Sequence, residues 1–107
     1  MFAVIFEVEP TAQGKAEYLE IASQIRDFLK DQKGFISIER FQSLTKETKV
    51  LSLSFWEDEA SIETWRKVLE HRSAQQKGRD ALFSTYRIRV AKVVRDYSLS
   101  ERTQAPQ

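Results

Sequence analysis

Residues 35–56 read FISIERFQSLTKETKVLSLSFW, two alternating segments on either side of a polar centre. Alternation of this kind is typical of half-buried strands, so the stretch predicts two strands joined by a hairpin loop at TKETK, residues 45–49. One face of the second strand is wholly apolar, with Leu51, Leu53 and Phe55. The opposite face carries two small hydroxyl side chains between larger neighbours: Val50, Ser52, Ser54 and Trp56. The serines leave space for a ligand to approach.

The residues before the hairpin predict a strand followed by a helix. Apolar and polar side chains alternate over residues 2–9, which indicates a strand with period two. Apolar residues at helical spacing over residues 15–30 predict a helix that lies on a sheet, with Thr11 as a plausible N-cap. Gly34 is well placed just beyond the end of that helix.

The residues after the hairpin predict a second helix and a last strand. Acidic residues in EDEA (57–60) favour a helix start, and the helical pattern continues to Gln76. Alternation over residues 82–97 indicates a long final strand. The order β-α-β-β-α-β predicts a ferredoxin-like α+β fold, an antiparallel four-stranded sheet with both helices on one face. Residues 1–97 form the single expected domain, and residues 98–107 are a polar tail expected to be flexible.

Apolar side chains occur on both faces of the predicted strands. Helices can cover only one face, so the other needs a different cover, which a second copy of the chain would supply. We therefore expect a homodimer that packs sheet against sheet.

Composition excludes several classes of function. A chain of 107 residues is the size of one domain, and a net charge of +1 gives no bulk attraction to nucleic acid or anionic membranes. The absence of cysteine excludes disulfides, thiolate nucleophiles and zinc-finger patterns. The apolar start MFAVIFEVE is interrupted by Glu7 and Glu9, so we expect neither a signal peptide nor a membrane span, and a cytoplasmic location.

Three segments of the chain resemble the antibiotic biosynthesis monooxygenase family of dimeric α+β barrels. They are GFISIERFQSL (34–44), LSLSFWEDEASIETWRKVLEHRSAQQKGR (51–79) and YRIRVAKVVRDYS (86–98). The resemblance implies a dimeric α+β barrel. It also implies oxygenase activity, because the family includes oxygenases that act on phenolic or quinol substrates without a cofactor. Haem-degrading monooxygenases belong to the family as well.

The haem-degrading branch fits this sequence poorly. Its members resemble one another in an Asn on the first strand and a Trp on the second long helix, with a His ten residues later as iron ligand. Trp65 matches the Trp, but Gln75 stands ten residues on and the chain has no Asn. His71 follows Trp65 by six residues, about 120° around a helix, whereas Gln75 lies about 80° in the opposite sense. Haem binding or degradation is therefore an alternative rather than the leading expectation.

His71, the only histidine, is the candidate catalytic residue. An unperturbed histidine side chain titrates near neutral pH, so this residue type is suited to take a proton from a phenol or quinol and prepare the anion for electron transfer to oxygen. Glu70 and Arg72 beside it favour a different interpretation, a solvated or structural histidine.

Four residues are candidates for binding the substrate: Trp65, Tyr86, Arg40 and Ser54. Trp65 would stack on a flat ligand or lie in the core, and Tyr86 would donate to a substrate oxygen or pack in the core. Arg40 would bind an anionic group or pair with a carboxylate such as Glu39. Ser54 would make space or accept a hydrogen bond.

The leading hypothesis is oxygenation of an aromatic, hydroquinone-like small molecule by molecular oxygen, with no metal or organic cofactor. The pocket would lie between the helices and the sheet, with His71 and Trp65 at its wall. No carboxylates show metal-ligand spacing and no glycine-rich phosphate loop is present. A non-enzymatic dimeric module that binds a small molecule is the remaining alternative, besides the haem protein.

Overall fold

The computed structural model describes residues 1–12, 14–75 and 83–106, with side-chain surroundings for all of these except residues 69–75, 83 and 84. It contains four strands and two helices in the predicted order. They are β1 (Phe2–Pro10), α1 (Lys15–Leu29), β2 (Phe35–Gln42), β3 (Val50–Trp56), α2 (Glu59–Gln75) and β4 (Phe83–Lys92). The strands form one antiparallel sheet in the order β2-β3-β1-β4. The ferredoxin-like α+β fold predicted from the sequence is therefore confirmed.

The strand register defines the two faces of this sheet, because residues directly opposite in antiparallel strands lie on the same face. Ser54 pairs with Val4 on one side and Ile38 on the other, and these side chains belong to the face we call the helix face. Leu53 pairs with Ile5 and Glu39, which belong to the opposite face, called the outer face.

Both helices pack on the helix face. One buried cluster joins α1 and α2 to the sheet and consists of Leu29, Trp56, Ile62 and Trp65. A second cluster joins the start of α1 to the other end of the sheet and consists of Val8, Tyr18 and Val50. Burial of these apolar side chains against the sheet stabilises the fold and holds the helices in position.

The last strand is shorter than the sequence pattern predicts. β4 ends at Lys92 because this residue pairs with Phe2, the first residue of β1, and the main-chain N–H of Val93 makes one further bond to the Met1 carbonyl oxygen at 2.9 Å. Beyond that point β1 offers no partner. Leu82, its predicted first residue, lies outside the described residues. The boundary of the domain at residue 97 and the flexibility of the tail stay predictions.

The N-cap of α1 differs from the prediction. Gly14 takes this position, whereas the helix begins at Lys15 as the pattern predicts. The Thr11 hydroxyl instead accepts a hydrogen bond from the Gly14 N–H at 2.9 Å, so Thr11 closes the turn that leads into the helix. Gly34 is the last residue of the turn between α1 and β2. Its φ of 82° is a left-handed conformation that favours glycine.

Asp58 caps α2. Its carboxylate accepts a hydrogen bond from the Ser61 N–H at 2.7 Å, which satisfies one of the free N–H groups of the first turn. The Ser61 N–H and then the Ser61 hydroxyl lower the pKa of the Asp58 carboxyl below its ordinary value. The sequence predicted a helix start at EDEA (57–60) because acidic side chains interact favourably with the helix dipole. Asp58 in this segment also makes a specific capping hydrogen bond.

Asp58→Ala is expected to lower the midpoint of thermal unfolding by several degrees at pH 7, because the cap is lost. The folded-state pKa of Asp58 is depressed, so its contribution is present above the unfolded-state pKa, about 3.9, and is lost as the pH falls through the folded-state pKa. The gap between wild type and variant should therefore be full above about pH 4 and should close as the pH falls below that value. Circular-dichroism melts across this range measure it, and a gap that stays constant would contradict the assignment. Asp58→Asn, which keeps an acceptor without titrating, is the control.

Neither of the described helices combines the length and the apolar content that a membrane crossing requires. The cytoplasmic location expected from the sequence stays a prediction.

Candidate functional site

The candidate site lies on the helix face, where the register places small side chains at the centre of the sheet. One row across this face consists of Ile38, Ser54, Val4 and Val90. The next consists of Arg40, Ser52, Phe6 and Ile88. Ser52 and Ser54 are both buried, so the two central hydroxyls lie among larger apolar and aromatic neighbours. The sequence prediction that these serines share a face with Trp56 is confirmed.

Ser54 already has a partner inside the protein. Its hydroxyl oxygen accepts a hydrogen bond from the indole Nε1 of Trp56 at 3.0 Å, and both groups are buried. Trp56 is 1% exposed, so this bond satisfies an indole N–H that has no access to water. The hydroxyl therefore positions the Trp56 ring, and a second contact from Ser54 to a substrate stays a prediction.

Trp65 lies in the core. It is 7% exposed, and its ring centroid is 6.4 Å from that of Trp56, with the two ring planes tilted by 31°. Leu29 and Ile62 complete the cluster around it. These contacts account for Trp65 as a residue that attaches α2 to the sheet, so stacking on a ligand stays a prediction.

Tyr86 is more accessible than its alternation suggested. Half of its surface is exposed, and Ile88 and Val90 on the same strand are 50% and 45% exposed. We call these three residues the β4 strip. They lie on the helix face beside β1, and the Tyr86 ring meets the Phe6 ring edge to face with centroids 5.9 Å apart. The β4 strip thus presents an apolar and aromatic surface with a phenol at one end, although the pattern favoured the core for it.

Arg40 carries a buried polar group that none of the described residues satisfies. Glu39 and Arg40 are neighbours on one strand and point to opposite faces, so the two do not pair. Nη2 of Arg40 donates to the Ala22 carbonyl oxygen at 3.5 Å, a long bond, and its buried Nε has no partner among the described residues. A buried guanidinium N–H without a partner is costly, and a carboxylate or other anion would satisfy it.

His71 lies four residues before the end of α2 at Gln75. Its side chain is outside the described residues, so the catalytic role stays a prediction. Within the described part of the chain, no three His, Asp or Glu side chains gather as metal ligands.

A charged cluster on the outer face was not foreseen from the sequence. Glu9 lies 2.9 Å from the Lys46 ammonium and accepts a bond of 2.9 Å from the Thr48 hydroxyl, and these two bonds lower the pKa of Glu9 below its ordinary value. Glu7 lies between the Lys49 ammonium at 3.4 Å and the Arg89 guanidinium at 3.5 Å. Only the pairing of β1 with its neighbours brings these charges together, and no local pattern in the sequence indicates it.

Comparison with known proteins identifies a family and a curated relative to which this chain is similar. The profile of the antibiotic biosynthesis monooxygenase family matches residues 1–77. A protein of Pyricularia oryzae named jasmonate monooxygenase ABM is 45% identical over 93 residues. The match covers 87% of this chain, which spans only 43% of the length of that relative.

Two solved structures share the fold at low sequence identity. SnoaB, a cofactor-independent oxygenase from Streptomyces nogalater, has a TM-score of 0.71 at 16% identity, over 94% of this chain and 97% of that one. MhuD, a haem degrader from Mycobacterium tuberculosis solved with two haems in its active site, has a TM-score of 0.72 at 14% identity. That match covers 92% of this chain and all of the other. At such identities these likenesses show the fold alone.

Proposed function

Because the chain belongs to the antibiotic biosynthesis monooxygenase family, we propose that it oxygenates an aromatic, quinol-like small molecule with molecular oxygen and without a metal or organic cofactor. The observation that carries this proposal is the half-exposed β4 strip beside Phe6, on the same side of the sheet as the helices. A flat apolar substrate would cover this strip, and burial of aromatic surface would hold it there.

The proposed reaction is balanced without an added reductant. For an anthrone, the substrate CH₂ group and O₂ give a C=O group and water, so the substrate supplies all four electrons that reduce oxygen. His71 would take the proton that leaves the anthrone or phenol, and the resulting anion would pass one electron to O₂. The Tyr86 hydroxyl would donate to the substrate oxygen that becomes negative. Trp65 and Ser54 would form part of the wall and floor of the substrate pocket between the helices and the sheet.

Oxygen uptake by the purified protein tests this proposal, with a panel of anthrones and quinols and a protein-free blank for autoxidation. His71→Ala should lower kcat by about 10²-fold or more because the general base is lost. Tyr86→Phe should lower kcat/KM about tenfold, because one hydrogen bond is lost. Tyr97→Phe, at an exposed tyrosine outside the sheet, is the matched control and should change nothing. Uptake that stays at the blank level for every substrate would contradict the proposal.

A carboxylate-bearing substrate is a second candidate, favoured by Arg40 and by the fungal relative named for jasmonate. Jasmonate is an anion with an apolar body, and its carboxylate would satisfy the buried Nε of Arg40. Insertion of one oxygen atom of O₂ into an aliphatic C–H bond requires two electrons besides the two that the substrate supplies. Oxygen uptake with jasmonate is therefore measured in the presence of reduced flavin as the electron donor. Arg40→Lys should weaken binding of jasmonate but not of an uncharged anthrone.

Two further alternatives have direct readouts. A shift of the Soret band on titration with haemin would favour the haem-binding alternative. The titration is included because MhuD, which shares the fold, binds haem in its active site. Saturable binding of an aromatic ligand without oxygen uptake would favour a binding module. In each of these functions we propose that the protein is a homodimer packed through its outer faces.

A further inference from the structure

We propose that the helix face binds a small monovalent anion, such as a halide or acetate, between the Nε–H of Arg40 and the hydroxyl of Ser52. Arg40 lies on β2, at the opposite edge of the sheet from the β4 strip, where the aromatic substrate is proposed to bind. The anion site requires neither substrate nor oxygen, so it is independent of the proposed reaction.

Small side chains lie between the two buried clusters of the helix face. Tyr18 of α1 belongs to one cluster, and Ile25 of the same helix packs against the other. Ala22 lies between them on the same side of α1 and is 5% exposed. Neither cluster includes Ala22 or Ser52. An alanine methyl group and a serine hydroxyl fill little volume between helix and sheet, which favours a small ligand over a large one.

Arg40 brings a positive charge to this position. It lies directly opposite Ser52 in the pairing of β2 with β3, so the two side chains share the helix face, with Cβ atoms about 5 Å apart. Its Nη2 atom is 3.5 Å from the Ala22 carbonyl oxygen, which places the guanidinium against α1. We call the space bounded by Ala22, Arg40 and Ser52 the central gap.

Two polar groups of the central gap have no partner among the described residues. The Nε atom of Arg40 is buried without a hydrogen bond. Ser52 is 8% exposed, and its hydroxyl makes no hydrogen bond within the described part of the chain. A buried donor without an acceptor costs free energy. An acceptor bound between Nε and the Ser52 hydroxyl would satisfy both groups.

Charge favours an anion over a water molecule as this acceptor. Arg40 forms no ion pair with an acidic side chain in the described ranges, and Glu39 beside it points to the outer face. The Nε–H group can only donate, and the serine hydroxyl can also donate, so the pair suits a ligand that only accepts. A halide or carboxylate would make charge-assisted hydrogen bonds, which are stronger than those of water.

A bound ion at this position would compete with acidic substrates. The carboxylate of jasmonate, the second candidate substrate, would have to displace the ion to reach the Arg40 Nε. An uncharged anthrone on the β4 strip would not meet it, because Arg40 and the strip lie at opposite edges of the sheet. Halide should therefore weaken binding of jasmonate and leave binding of an anthrone unchanged.

Titration of ¹⁵N-labelled protein with bromide and with acetate tests the site, with the arginine Nε–H signals observed by NMR. Sodium gluconate, a bulky anion, keeps the ionic strength constant, and loss of one signal in Arg40→Lys assigns the Arg40 Nε–H. This signal should shift saturably, with a dissociation constant on the order of 1–10 mM for two hydrogen bonds. Ser52→Ala should weaken binding about tenfold because one bond is lost. Ser23→Ala, at an exposed serine of α1, is the control and should change nothing.

Three results would contradict the proposal. An Arg40 signal that does not move at roughly 100 mM bromide or acetate, well above the expected constant, overturns the site and means that the central gap binds water only. A signal that responds to jasmonate but to neither small ion overturns it in favour of direct capture of a substrate carboxylate. Equal affinity in Ser52→Ala, with an amide spectrum that shows a folded variant, overturns the role of Ser52. Oxygen uptake enters none of these measurements, so failure of the proposed oxygenation would leave the anion site standing.

Discussion

Replacing Trp56 by alanine is expected to lower the free energy of unfolding by about 3–5 kcal/mol. Trp56 is 1% exposed and lies at the end of β3, where its ring meets Phe35 edge to face at 5.4 Å and Trp65 at 6.4 Å. Alanine would leave a large cavity between the sheet and both helices. Urea unfolding followed by circular dichroism measures the loss, and a cost below about 1.5 kcal/mol would contradict the assignment of Trp56 to the centre of the core.

Two milder substitutions distinguish the stabilisation that comes from packing of the Trp56 ring from the stabilisation that comes from its hydrogen bond. Trp56→Phe keeps an aromatic ring but removes the Nε1 donor to Ser54, and Ser54→Ala removes the acceptor. If the buried bond contributes about 1 kcal/mol, the double variant should be more stable than the sum of the two single losses predicts. Additive losses would show that the hydroxyl does not position the indole.

Replacing Gly34 by alanine is expected to cost at least about 2 kcal/mol, because a side chain is strained in the left-handed conformation found there. Contact adds to this strain: a Cβ on Gly34 would overlap the Ser61 hydroxyl and lie 2.7 Å from the Ser61 Cβ. The Gly34 carbonyl oxygen also accepts the Glu57 N–H at 2.8 Å, which ties the start of β2 to the residues before α2. Denaturant unfolding measures the cost.

A second substitution distinguishes strain from contact. Ser61→Gly removes the side chain that the new Cβ would meet, at a cost of about 1 kcal/mol for glycine in a helix. In the Gly34→Ala background the same change should cost less or should stabilise the protein, because it relieves the overlap. Equal costs in both backgrounds would mean that backbone strain alone explains the effect.

Features governed by local chemistry could be predicted from the sequence. Alternation over residues 50–56 predicts both faces of β3, and the fold order follows from the sequence of strand and helix patterns. The end of β4 could not be predicted, because Lys92 is the last residue with a partner in β1, and a partner strand is a long-range property. Thr11 has a capping side chain, but which turn it closes depends on where the helix begins.

The candidate site was predicted less completely, since its chemistry depends on packing between distant segments. Trp65 has the same helical spacing whether its ring packs against Trp56 or stacks on a ligand, so the pattern leaves both interpretations open. Tyr86 alternates like a core residue, yet it lies on an edge strand and keeps half of its surface exposed. The buried Nε of Arg40 arises from the approach of α1 to β2, which no short motif describes.

The origin of the oxygen atom in the product tests the proposed oxygenation most directly. Purified protein treated with a chelator is incubated with an anthrone under ¹⁸O₂, and the product is analysed by mass spectrometry. A parallel reaction in H₂¹⁸O corrects for exchange of carbonyl oxygen with water. We predict one ¹⁸O atom in the new carbonyl group, formed faster than in the protein-free blank and about 10²-fold slower with His71→Ala. A product whose new oxygen comes from water, or an ¹⁸O yield equal to the blank, would contradict the proposed oxygenase.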